Sequence, residues 1–98
     1  MDMVEDLEKV KRQARDLRRE EPRPPEDELA GYPLAARCLD KCRAALVGWA
    51  GEYSYACPMD RQFLDGAGID ADELKRFVAT GASDEEVADW IQQHAVAK

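Results

Sequence analysis

Three prolines within four positions, Pro22, Pro24 and Pro25, constrain this chain more than any other feature. Proline lacks the backbone donor and biases the residue before it away from helical angles, so no helix continues through this run. On its N-terminal side Met3, Leu7, Val10, Ala14 and Leu17 recur at alternating spacings of four and three. That periodicity predicts one amphipathic helix over residues 2 to 20. Acidic Asp2, Glu5 and Asp6 open it and basic Arg15, Arg18 and Arg19 close it, in the sense that complements the helix dipole. The chain therefore divides into an N-terminal amphipathic helical extension, 1–21, and a helical domain, 22–98.

Beyond the prolines the punctuation is helical. A short turn is expected from Pro25 through Leu29, closed by Gly31, followed by a long helix from Pro33. Leu34, Ala35, Cys38, Leu39, Cys42, Ala45, Leu46 and Trp49 form its apolar face, and Gly51 is its expected stop. Residues 52–57 read as a structured loop. Pro58 suits the first position of a third helix carrying Phe63 and Leu64. Asp70 with Glu73 and Ser83 with Glu86 are capping patterns that open two more helices. The expected fold is all-α, a small single domain of about five helices with the N-terminal extension.

With 98 residues the chain carries one core, and its 45% apolar content sets it apart from a disordered segment. The formal charge is −7, and residues 44–98 hold ten acidic groups against four basic ones. An acidic field of this kind repels phosphate, so neither nucleic acid nor an anionic membrane surface is an expected partner. The longest small or apolar run, Ala44 to Gly51, is far short of the roughly 20 residues that span a bilayer. The opening residues lack the basic and apolar blocks of a signal peptide, and three cysteines fit a reducing compartment, so a cytoplasmic protein is expected.

Chemistry concentrates in one segment. Gly51 to Asp60 gathers Glu52, Tyr53, Tyr55, Cys57 and Asp60 beside a helix start, with Asp40, Lys41 and Arg43 on the preceding helix as further candidate ligand-binding residues. Amides of a helix N-terminus lower a neighbouring thiol's pKa, which makes Cys57 the candidate nucleophile and Glu52 or Asp60 a candidate base. The bland alternative has Cys57 as a neutral cap and the tyrosines as packing wedges. Cys38 and Cys42 share a helical face and read as small core residues. With Cys57 and His94 they match no usual zinc spacing, and no metal or cofactor is expected.

Several of these segments, taken together, carry a resemblance. Pro22-Arg23-Pro24-Pro25 with Leu29-Ala30-Gly31-Tyr32, then Leu39-Asp40-Lys41-Cys42-Arg43-Ala44, then Gly51-Glu52-Tyr53-x-Tyr55-x-Cys57-Pro58-Met59-Asp60 and Phe63-Leu64 resemble the bacterial family called domain of unknown function 5069. Gly68-Ile69-Asp70, Gly81 to Val87 and Trp90 extend the likeness over residues 16 to 94. The resemblance implies a fold and no activity. The leading functional expectation is thus a protein-interaction or self-association module, pairing as a homodimer through Met3, Leu7, Val10, Ala14 and Leu17. The alternative is a small-molecule or enzymatic pocket on the Gly51 to Asp60 loop.

Overall fold

The first helix stops well before the prolines. The computed structural model describes residues 4–95, and in it α1 spans Leu7–Gln13 rather than 2–20. Asp6 caps α1 by accepting from the Lys9 amide at 3.1 Å, and its own amide donates to the Ala79 carbonyl at 2.8 Å. At Ala14 the backbone turns extended. Gln13 Nε2 donates to the Gly81 carbonyl at 2.8 Å and the Leu17 amide to the Trp49 carbonyl at 2.9 Å. The Leu17 bond replaces the helical one that periodicity predicted and the Gln13 side chain adds a second tie to the body of the protein, a case of tertiary contact overriding local pattern.

The apolar stripe follows the chain rather than one helix. Val10 and Leu17, two of the residues expected at an interface, are covered by their own chain, and Ala14 is half-buried. Leu7 remains 41% exposed and Val4 76% exposed. Met3 lies outside the described residues.

After the prolines a two-stranded antiparallel hairpin stands where only a turn was expected. Strand β1 (Glu28–Leu29) pairs with β2 (Tyr32–Pro33), Glu28 opposite Pro33 and Leu29 opposite Tyr32. Ala30 and Gly31 connect them, both at positive φ (57° and 84°), the backbone of a type I′ turn. Helix α2 (Ala35–Leu46) follows and stops earlier than Gly51. Gly48, at φ 78°, takes the left-handed position, and the Trp49 amide donates to the Ala44 carbonyl at 2.8 Å, so a Schellman turn ends the helix.

Three further helices match their sequence signals: α3 (Pro58–Ala67), α4 (Ala71–Val78) and α5 (Asp84–His94). Pro58 occupies the first turn of α3; Asp70 caps α4 by accepting from the Asp72 and Glu73 amides; Ser83 and Glu86 form a reciprocal capping box on α5. Helix α2 runs through the core. Its Ala35, Cys38, Leu39 and Cys42 pack with Phe63, Leu64 and Ala67 of α3, Leu74 and Val78 of α4, and Val87 and Ile91 of α5. Each large aliphatic side chain buried this way contributes roughly 1.5–3 kcal/mol. The molecule is mostly helical and packs around α2, and among the described residues no helix is long and apolar enough to cross a membrane.

Candidate functional site

The eight candidate residues do not converge on one pocket. They separate into three groups because α2 turns about 100° per residue, so Asp40 and Arg43 share one face while Lys41 points elsewhere.

The first group is a partly buried polar network. Arg23 grips Asp40 with Nε and Nη2 at 3.0 and 2.9 Å, and its backbone amide donates to the same carboxylate at 2.8 Å. Its Nη1 donates to Asp84 at 2.8 Å, and Arg43 Nη1 reaches the other Asp84 oxygen at 2.7 Å. Arg43 Nη2 donates to the Ala82 carbonyl at 2.9 Å. Gln13, Arg15, Arg23, Asp40, Arg43 and Asp84 line a groove of about 290 Å³. Most of their donors and acceptors are spent on one another, which makes this a clamp holding the proline segment and α2 to the start of α5.

The second group stands at a larger groove of about 480 Å³, where exposed Glu52 and half-buried Tyr53 meet Leu17 to Glu21 and Gly51. Tyr53 also receives the Arg37 guanidinium at 5.7 Å from its ring centre, within cation–π range. Tyr55 faces inward and belongs to the packing: its hydroxyl donates to the Ala71 carbonyl at 2.7 Å.

The third group brings together Lys41, Cys57 and Asp60. Lys41 and Asp60 are almost wholly buried, and their Nζ and Oδ2 lie 2.9 Å apart. The same ammonium donates to Sγ of Cys57 at 3.0 Å. The loop is shaped to allow this. Ala56 adopts a left-handed φ of 61°, and its amide donates to Asp60 Oδ2 at 2.9 Å, drawing the chain back over the first turn of α3. Cys57 is the N-cap residue, with extended backbone angles and no full side-chain capping bond. The remaining Asp60 oxygen, Oδ1, is buried without a hydrogen-bond partner.

The electrostatics of the three cysteines differ sharply. Burial pushes the Cys42 thiol up to about 12 and raises Cys38 as well, so both are inert core thiols. Partial desolvation also acts to raise Cys57, but the Lys41 hydrogen bond and the approaching amides of Asp60 and Met59 outweigh it, and the thiol sits below its ordinary 9.0. For Lys41, desolvation favours the neutral amine, yet Cys57 and Asp60 reverse that and keep the ammonium charged beyond its ordinary range. The result is a half-buried thiol whose ionised form is favoured by a fixed cation.

Periodicity alone missed Arg23, Arg37 and Asp84. Their signals were present: Arg23 between prolines, Arg37 one helical turn before Lys41, and Asp84 in the first turn of a capped helix. His94 stacks on Trp90 at 4.0 Å between ring centres and takes part in none of the three groups.

The model of the family described as Domain of unknown function (DUF5069) matches residues 19–98. The matched region includes Lys41, Cys57, Asp60 and the Arg23, Asp40, Arg43 and Asp84 clamp, while α1 precedes it. No curated protein matches the chain.

Proposed function

The chain belongs to the DUF5069 family, and because that membership carries no assigned chemistry we propose, from the geometry, that it works through a reactive thiolate at Cys57. The reading is a small helical domain in a reducing compartment whose Sγ captures small electrophiles covalently. One observation carries it: the Lys41 ammonium, almost wholly buried, sits 3.0 Å from Cys57 Sγ and 2.9 Å from Asp60 Oδ2. A cation held this way favours the ionised, nucleophilic form of the thiol over the protonated one. Cys57 lines neither large groove, so the reagent it meets is small and approaches from the surface.

Alkylation by iodoacetamide, followed by peptide mass analysis across pH, tests the reading. Cys57 is expected to react with a midpoint below 9.0 while folded protein protects Cys38 and Cys42. A Cys57 rate that rises only with the titration of a free thiol removes the proposal.

Self-association through the N-terminal segment is a second reading, and it now rests on Val4 and Leu7, the exposed apolar side chains of that segment. An unchanged sedimentation mass for Leu7→Asp, with a wild type that is already monomeric, removes it.

A further inference from the structure

The short distance between Lys41 and Cys57 has a second chemical meaning. An amine nitrogen and a sulfur that hydrogen-bond at 3.0 Å need little movement to become covalently joined once the sulfur is oxidised. We infer that Lys41 and Cys57 form an oxidative cross-link, with a hydroperoxide as the oxidant. The inference rests on the reactive-thiolate reading above and adds a modification site that ties α2 to the first turn of α3.

The step balances as follows. The Cys57 thiolate attacks the terminal oxygen of the hydroperoxide, the O–O bond breaks, and sulfur loses the two electrons that the departing alkoxide or hydroxide gains. Protonation yields the sulfenic acid and releases alcohol or water. The sulfur no longer bears a negative charge, so among the described residues Lys41 keeps Asp60 as its ion-pair partner. The ammonium passes one proton to the Asp60 carboxylate, where Oδ1 has no other partner. The free amine attacks Sγ, the N–S bond forms and the S–O bond breaks. The leaving hydroxide takes a second proton from nitrogen and departs as water. The product is a sulfenamide beside a neutral carboxylic acid, so a buried ion pair has been replaced by two neutral groups and its desolvation cost is relieved.

Competing routes are few in this neighbourhood. Cys38 and Cys42 are fully buried and held as thiols, and their attack on an oxidised Cys57 requires ionisation that burial opposes. Lys41 is already in contact and already charged next to its proton acceptor.

The test uses the full chain exposed to hydrogen peroxide at stoichiometric amounts, digested with trypsin and mapped by tandem mass spectrometry. The expected product is a peptide pair joined through Lys41 and Cys57, lighter by two hydrogens, uncleaved after Lys41 and restored by dithiothreitol. Lys41→Arg preserves the cation beside Asp60 but offers no attacking amine, so its Cys57 is expected to stop at a sulfenic acid trapped by dimedone. A wild-type Cys57 that persists as a sulfenic acid with no Lys41-linked peptide, when dimedone is added only after oxidation is complete, or a disulfide from Cys57 to Cys38 or to a second chain, overturns the inference. If Cys57 alkylates readily and still yields those products, the thiolate reading stands and only the cross-link falls. If Cys57 resists both reagents, both fall.

Discussion

At the scale of single residues, the informative positions are those where local chemistry works against itself. Asp60 is a fully buried carboxylate that the fold tolerates because Lys41 and the Ala56 amide meet one of its oxygens. Lys41→Met therefore strands a buried charge and is expected to cost about 3–5 kcal/mol in urea denaturation. Replacing both partners, Lys41→Met with Asp60→Leu, is expected to recover part of that loss, because no unpaired charge remains. A double variant no more stable than the single one would show that the pair is not coupled. Ala56 spends conformational energy to hold the loop at φ 61°, so Ala56→Gly is expected to raise the denaturation midpoint, by about 1 kcal/mol. Residue identity alone pointed to Cys57 and Asp60 through Pro58 and the helix start. That Lys41, and not Asp40 or Arg43, reaches them follows from helical spacing only once the rotation of α2 is fixed by packing Cys38, Leu39 and Cys42 inward.

Among the elements, the helices whose boundaries are written in side chains were legible and those whose boundaries are set by contacts were not. Pro58, Asp70 and the Ser83–Glu86 box start α3, α4 and α5 where the sequence places them. Ser83→Ala is expected to lower stability by about 1 kcal/mol through the lost α5 cap, read from thermal unfolding. By contrast α1 ends at Gln13, after which the Leu17 amide donates to the distant Trp49 carbonyl rather than back along a helix, and the β1–β2 turn uses Ala-Gly in place of the more recognisable Asn-Gly. The start of α5 also carries a pH dependence. Burial acts to raise the Asp84 carboxyl, but hydrogen bonds from Arg43 and Arg23 outweigh it and hold it below 3.8. A carboxyl depressed in the folded state adds stability that is complete above its unfolded value and is lost as pH falls through the folded one. Comparing wild type with Asp84→Asn, the stability advantage is expected to be constant near neutrality and to shrink below about pH 4. An advantage independent of pH down to the acid transition would show that the two arginines do not act through the ionised carboxylate.

For the molecule as a whole, the arm before the prolines is bound to the body at several separated points. Asp6 meets Ala79, Gln13 meets Gly81, Leu17 meets Trp49, and Arg23 meets Asp40 and Asp84. Gly51 shows how closely it lies: a Cβ there would stand 3.0 Å from the Leu17 carbonyl. Val10→Ala and Leu17→Ala are each expected to cost about 1–3 kcal/mol and to move a single cooperative transition. A separate, earlier transition for the arm would show that it folds independently of the core. The clamp of Arg23, Arg43 and Asp84 has a consequence in time as well. A ribosome releases the chain in order, and Asp6, Gln13 and Arg23 bind Ala79, Gly81 and Asp84, all made much later than they are. Leu17 and Arg23 thus find Trp49 and Asp40 while the bonds of Asp6 and Gln13 still wait for residues 79 to 81, so the arm is fastened to the body from its C-terminal end backwards.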